Sequence, residues 1–240
     1  MKRWYLYPFS LVYHFVTAMR NRMYDWGIFS STKFKTPIIG VGNLSVGGSG
    51  KSPMVMYMAD LLSKNFRTGV LSRGYGRKTK GYGIVNYDST YKMVGDEAMQ
   101  LFERFRNRFV IGVCEDRVFG ARKIIDDMDL DVLLLDDSYQ HRRIKPGFNI
   151  LLTDYNDPYF KDFLLPAGNL RESRRGAKRA DLIVVTKCPE ILTEEKKQVY
   201  INKIKPRRYQ KVFFSSINYD EIGVNKRQQS PVQNLNYYDI

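Results

Sequence analysis

Cysteine is nearly absent: Cys114 and Cys188 are the only two in 240 residues. Two thiols make no disulfide framework and match no metal-binding spacing, which excludes disulfide-stapled scaffolds and zinc modules. Both sit in or beside apolar stretches and read as small buried hydrophobes suited to a reducing cytoplasm. There is no internal repeat, which sets repeat architectures aside. The N-terminal stretch without a formal charge, from Trp4 to Met19, is shorter than the ~20 apolar residues that span a bilayer, and Pro8, His14 and several tyrosines interrupt it. Acids are in deficit, 25 against 39 lysines and arginines, for a net charge of +14. An excess of that size implies an anionic partner, whether nucleic acid, an acidic membrane or a phosphorylated substrate. No module that reads RNA or DNA is present, and the basic residues are spread over loops, so nucleic acid is not expected.

What is present is a phosphate cradle. Residues 45–52 read Ser-Val-Gly-Gly-Ser-Gly-Lys-Ser, directly after the apolar run of residues 37–42. A strand therefore feeds a glycine-rich loop that opens a helix. In such a loop the backbone N–H groups of Ser45, Val46, Gly47, Gly48, Ser49 and Gly50 turn inward around phosphate oxygens, and the helix N-terminus adds partial positive charge. Lys51 is expected to reach the β- and γ-phosphates of ATP, and the Ser52 hydroxyl to ligate Mg²⁺. The general pattern has glycine where Ser45 stands.

The rest of the chain alternates short Val/Ile/Leu-rich runs with helical patterns. Strands are expected at residues 38–41, 69–72, 109–113, 132–135, 149–153, 182–186 and 212–215, and helices at 51–64, 96–106, 115–128 and 193–204. Apolar content of 43% and charged content of 27% suit a globular α/β chain. The expected fold is P-loop NTPase-like, a mostly parallel sheet with helices on both faces. Residues 73–92, rich in Gly, Tyr, Arg and Lys, read as a long functional loop or hairpin. The organisation follows as an N-terminal interfacial helix region (1–36), a kinase-type core (37–216) and a tail or the start of an incomplete second lobe (217–240). The Asn/Gln-rich stretch from 225 to 238 reads as a loop or disordered end.

Several side chains are candidates for the chemistry. Asp136 and Asp137 end an apolar strand downstream of the phosphate loop, where a Mg²⁺-side carboxylate belongs, and spacing does not choose between them. Asp96 precedes a helix and is either its N-cap or a general base, and spacing alone favours the cap. Arg117 either opens a helix or lies near a transferring phosphoryl group. His141, beside Arg142 and Arg143, reads as a structural hydrogen-bonder unless its strand-end position makes it functional. Glu172 is the one acid in a basic loop whose arginines can grip phosphate, and it is a candidate for the metal side. Lys187 ends a strand where GTPases read guanine with Asn-Lys-x-Asp. Thr186 and Pro189 break that pattern, leaving Lys187 for an adenine base or ribose.

The N-terminal stretch has Lys2 and Arg3 before it and Arg20 and Arg22 after it. A signal peptide is the weaker reading, because a secreted phosphate loop would lack its nucleotide. Aromatic and basic edges suit an amphipathic helix lying in a membrane interface, and equally a helix packed on its own domain.

Taken together, residues 41–53, Leu-Ser-Arg-Gly-Tyr-Gly-Arg at 71–77, Val-Gly-Asp-Glu-Ala at 94–98, Asp-Asp-Ser-Tyr-Gln-His-Arg at 136–142 and Leu-Pro-Ala-Gly-Asn-Leu-Arg-Glu at 165–172 resemble the tetraacyldisaccharide 4'-kinases, the lipid A 4'-kinases of Gram-negative bacteria. That family carries serine at the position of Ser45. The resemblance implies transfer of the γ-phosphate of ATP to the 4'-hydroxyl of a tetraacylated glucosamine disaccharide 1-phosphate, the lipid A disaccharide 1-phosphate, giving lipid IVA. It implies a peripheral protein on the anionic cytoplasmic face of the inner membrane. It implies Asp96 as base, Arg117 near the reacting phosphoryl, Lys51 and Ser52 at the phosphates and Mg²⁺, and Asp136, Asp137 and Glu172 on the metal side. The family also has a second lobe with an Asp-His-His segment that this sequence does not contain, so a truncated second lobe is expected. The alternative is a membrane- or DNA-associated ATPase of the ParA/MinD type, against which Val46 replaces a signature lysine.

Overall fold

The computed structural model describes residues 3–219 and 233–238, with side chains to Ser216. In chain order the elements are α1 (Tyr7–Asp25), β1 (Ile38–Asn43), α2 (Lys51–Ser63), β2 (Thr68–Ser72), β3 (Gly83–Ile84), α3 (Tyr91–Val94), α4 (Asp96–Phe105), β4 (Val110–Val113), α5 (Arg117–Met128), β5 (Val132–Leu135), β6 (Phe148–Asp154), β7 (Leu182–Cys188), α6 (Glu194–Ile204), β8 (Lys211–Tyr219) and β9 (Gln233–Tyr238). Short 3₁₀ turns lie at Tyr159–Lys161 and Arg174–Arg179.

The strands form one sheet in the order β3-β4-β2-β5-β1-β6-β7-β8-β9. Strands β4 through β8 pair in parallel, while β3 and β9 add to the two edges antiparallel. Strands β4 and β5 are apolar at every position because both faces are covered. Alternate residues serve opposite layers. Ile150, Leu152 and Val184 join Val55, Ala59 and Leu101 under α2 and α4. Leu151, Ile183 and Val185 join Tyr200 and Phe214 on the other side, and Leu133 and Leu135 pack with Ala121 and Ile124 of α5.

β1 lies between β5 and β6, although β2 follows it in the chain. The chain goes outward from β1 to β2 and β4, returns at β5 and crosses to β6. The crevice beyond the carboxyl ends of β1 and β5 is the switch point at which open α/β sheets bind ligands.

Two edges differ from expectation. Residues 233–238 form β9 against β8 instead of a patternless tail, with Phe214 opposite Tyr238 and Ser216 opposite Asn236. The ladder supplied by β8 replaces the missing hydrophobic alternation. Residues 225–232 lie outside the described residues. The 73–92 loop contains the two-residue β3 and the single turn α3.

Helix α1 packs in an unusual sense. Its polar groups face the protein: the Ser10 hydroxyl donates to the Leu164 carbonyl (3.0 Å) and accepts from the Ala167 N–H (3.1 Å), and the Tyr13 hydroxyl donates to the Arg171 carbonyl (2.9 Å). Asn21 donates to Glu172 at 2.9 Å. Phe9, Leu11, Val12, Phe15 and Val16 are each more than half exposed. Among the described residues no helix is long and apolar enough to cross a membrane.

Candidate functional site

The cradle forms where β1 runs out. Leu44 is fully buried and anchors the loop, and the Arg171 N–H donates to its carbonyl at 2.7 Å. Ser45 pairs with Leu170 in an isolated antiparallel bridge, and the Val46 N–H donates to the Asn169 carbonyl at 2.7 Å. Gly50 caps α2 at φ +80°, a left-handed position that suits glycine, and no side chain satisfies the helix's first amides. Those donors are free for an anion. The Thr186 hydroxyl donates to the Ser49 carbonyl at 2.9 Å, while the buried Ser49 hydroxyl has no partner among the described residues. Lys187, itself at φ +57°, donates to the Gly48 carbonyl and pairs with Asp154 at 2.7 Å. The loop, Asn43, Thr153, Asp154 and Lys187 enclose a cavity of about 160 Å³.

Beside the loop lies a network of opposite charges. Lys51 Nζ is 3.5 Å from Asn43 Oδ1 and 3.8 Å from Asp137. Arg171 grips Asp137 with both terminal nitrogens, at 3.0 and 2.8 Å, and also donates to Asn43. Burial alone raises the Asp137 carboxyl, but Arg171, Lys51 and Arg117 outweigh it and hold it below the usual carboxylate range. Asp136 is in the opposite condition. Asp137 adopts φ +44°, and the chain turns there. Asp136 is 4% exposed, with Oδ1 unpartnered among the described residues. Burial and then the nearby Glu97 push its pKa up to about 6, against the opposing pull of Arg117 and Lys51. The Ser52 hydroxyl reaches Glu97 Oε1 at 3.4 Å. Ser52, Glu97 and Asp136 thus gather oxygens on one side of the loop, and Asp137 is tied to cations on the other.

Asp96 opens α4 without capping it. Gly95 holds the cap position at φ +90°, and a Cβ there would lie 2.7 Å from the Tyr75 carbonyl. The cap reading that spacing favoured is therefore corrected: Asp96 is exposed at the first helical position, next to Glu97. The residue that does cap a helix is Asp116, which accepts from the N–H groups of Val118 (3.0 Å) and Phe119 (3.2 Å).

Two further candidates are engaged by protein groups. Arg117 is 3% exposed and donates to the main-chain carbonyls of Leu71 (2.8 Å) and Asp136 (2.7 Å). It clamps the ends of β2 and β5 and so positions Asp136. Glu172, expected on the metal side, has both oxygens engaged. Arg179 binds it bidentately at 2.8 and 2.9 Å, Gln140 donates at 3.1 Å and Asn21 of α1 at 2.9 Å. It joins α1 to the core. His141 is driven down to about 4 by burial and by Arg117 and Arg73, so it stays neutral at physiological pH.

Glu97, Asn43 and Arg171 join the network beside the loop and were not singled out by sequence. Glu97 follows the suspected base directly, and Arg171 sits in the basic loop, so adjacency was the available signal. Among the described residues no three His, Cys, Asp or Glu side chains cluster as a metal cage. Mg²⁺ in phosphate-transfer sites is commonly held by one or two carboxylates together with substrate phosphates, and the Ser52–Glu97–Asp136 set with its unpartnered carboxylate oxygen fits that pattern.

A family model described as tetraacyldisaccharide-1-P 4'-kinase matches residues 2–236. The tetraacyldisaccharide 4'-kinase of Flavobacterium johnsoniae is 46% identical over 216 residues, covering 90% of this chain and 63% of the relative. That of Bacteroides thetaiotaomicron is 41% identical over 220 residues, covering 91% of this chain and 58% of the relative. A crystal structure of LpxK from Aquifex aeolicus in complex with ATP superposes with a TM-score of 0.76 at 37% identity, covering 91% of this chain and 66% of that one. The chain thus spans about three-fifths of the length of these curated relatives.

Proposed function

Because the chain belongs to the tetraacyldisaccharide 4'-kinase family, we propose that it transfers the γ-phosphoryl group of ATP to the 4'-hydroxyl of a tetraacylated glucosamine disaccharide 1-phosphate, giving lipid IVA. The observation that carries this reading is the meeting of an uncapped, glycine-rich helix start with Lys51, an unpaired buried carboxylate at Asp136 and an exposed Asp96 on the neighbouring helix.

Phosphoryl transfer demands positioning and charge compensation more than covalent help. The loop amides and Lys51 hold the phosphates, and Lys187 shifts from Gly48 toward the nucleotide. Ser52, Asp136 and Glu97 are the residues that would hold Mg²⁺, which supplies charge neutralisation when bound. Asp96 orients the acceptor hydroxyl. As its oxygen bonds to the γ-phosphorus, the bond to the β,γ-bridging oxygen breaks, ADP leaves and the hydroxyl proton passes to Asp96. Arg117 keeps the Asp136 backbone in register throughout.

The exposed apolar face of α1 supports a peripheral seat on the membrane that carries such a lipid, with the helix lying in the interface. Incubation of the protein with γ-labelled ATP and the lipid A disaccharide 1-phosphate tests the reading. Label in the lipid is expected, and label released only as free phosphate on adding DNA or vesicles is the result the partitioning-ATPase alternative demands.

A further inference from the structure

One cluster of basic side chains lies apart from the residues assigned to phosphoryl transfer. A groove of about 650 Å³ runs between the last turn of α6 and the 3₁₀ turn Arg174–Arg179, reaching the amino ends of β7 and β8. Arg174, Arg175, Lys178, Lys203, Lys205 and Arg207 line it, and among the described residues no aspartate or glutamate does. The Arg174 guanidinium leans on the Asp162 carbonyl (2.8 Å). The walls between these cations are apolar, with Phe160, Ile183 and Ile204.

The groove is continuous with α1. Arg174 and Arg175 also line a cleft of about 270 Å³ together with Tyr7, Leu11 and Phe163. The Phe163 ring lies 5.4 Å from that of Trp4 and 6.2 Å from that of Tyr7. One surface therefore carries an outward-facing apolar helix on one side of the two arginines and a purely cationic trough on the other.

We propose that this groove is a second membrane contact, which seats the headgroups of anionic phospholipids while α1 enters the interface and so fixes the orientation of the kinase core on the bilayer. The proposal rests on the reading of α1 as a membrane helix. An interfacial helix alone leaves rotation about its own axis weakly specified. A cationic patch beside it adds an electrostatic contact that acts only at an anionic surface. The groove offers a single-stranded nucleic acid no stacking platform, since Tyr159 is buried and Phe160 packs edge-on against Tyr200 at 5.6 Å.

The test is flotation of the 240-residue protein with vesicles of phosphatidylglycerol and phosphatidylcholine in roughly equal parts, and with phosphatidylcholine alone. Two variants accompany it: a groove variant with Arg175→Gln, Lys178→Gln, Lys203→Gln and Arg207→Gln, and a helix variant with Phe9→Ser and Phe15→Ser. Each basic residue at an anionic surface is worth about fivefold. Four such residues compound to roughly 600-fold, so the groove variant should bind the anionic vesicles on the order of 10²–10³-fold more weakly at low salt, with unchanged melting temperature and ATP binding. Its residual binding should still exceed that of the wild type on neutral vesicles, because Arg174 and Lys205 remain in the groove. Wild-type binding by the groove variant, with release of the helix variant alone, would overturn the groove while leaving the α1 reading intact. No wild-type binding to either vesicle would overturn both. Tighter retention on single-stranded RNA, lost in the groove variant, would assign the groove to nucleic acid and overturn the proposal equally.

Discussion

Asp136 keeps one carboxylate oxygen without a partner at 4% exposure, and burial with Glu97 raises its pKa from 3.8 to about 6. Between those values the folded state binds more protons than the unfolded one, so stability falls as pH rises toward 6 and the loss is complete above it. Asp136→Asn should therefore stabilise the metal-free protein by roughly 1–3 kcal/mol at pH 7.5. The gain should vanish near pH 4, and Mg²⁺-dependent ATP binding should be lost with it. Urea melts at both pH values with chelator present check the sign, and a gain at pH 4 would contradict it. Asp96 poses a different question, because its role was ambiguous in sequence. Gly95 and Asp96 both satisfy the statistics of a helix start, and only the φ of +90° at Gly95 decides which residue caps. Asp96→Asn is expected to leave stability within ~0.5 kcal/mol, since no cap is lost. It should lower turnover about 10²–10⁴-fold with little change in ATP affinity. A drop in melting temperature with turnover preserved would restore the cap reading.

Elements were legible where a single layer of physics decides them. Strands such as Val132–Leu135 are apolar throughout because helices cover both faces, and α4 reads as a helix because Ala98, Leu101 and Phe102 recur on its buried stripe. The Gly-Gly-Ser-Gly-Lys-Ser loop is legible in sequence because an apolar strand precedes it and a helix follows it, and the structure has β1 and α2 there. The misses are elements whose stability comes from a neighbour. β3 is two residues long and β9 has no alternation, and each exists because an edge of the sheet offers unpaired N–H and C=O groups. The orientation of α1 was hidden for a related reason. Periodicity marks an apolar face but not which way it points, and here Ser10 and Tyr13 turn it outward by bonding to carbonyls of the 164–171 loop. Ser10→Ala should thus cost about 1–3 kcal/mol, because it leaves the buried Ala167 N–H without its acceptor. Phe15→Ser, on the exposed side, should change stability by no more than ~0.5 kcal/mol. Equilibrium urea unfolding of the two variants ranks them, and the reverse ranking would show that the apolar face is the docked one.

At the scale of the whole molecule, the site is assembled from segments that the sequence separates widely. Asn43 to Ser52, Glu97, Asp136 and Asp137, and Arg171 meet beyond the carboxyl ends of β1 and β5. Their order along the chain was readable, but their pairing was not, because which acid meets which arginine depends on sheet order and loop course. Glu172 shows the difference. Sequence puts it beside Arg171 and the metal, whereas in the structure it is held by Arg179, Gln140 and Asn21. The two assignments predict opposite results from thermal unfolding with and without ATP–Mg²⁺. A ligand at 100 times its Kd stabilises the native state by about 2.7 kcal/mol, worth roughly 5–10 °C for a chain of this size. Lys51→Ala should keep the melting temperature of the free protein and lose most of that increment, because the loop is built without the lysine but holds phosphate through it. Glu172→Gln should do the reverse. Leaving Arg179 short of its bidentate partner should cost roughly 3 kcal/mol in the free protein. The increment from ATP–Mg²⁺ should remain if, as proposed, Ser52, Asp136 and Glu97 hold the metal. If Glu172→Gln melts like the wild type and fails to respond to ATP–Mg²⁺, Glu172 is a metal ligand after all, and α1 is held to the core by its other contacts, among them Ser10, Tyr13 and the Arg142–Asp25 pair.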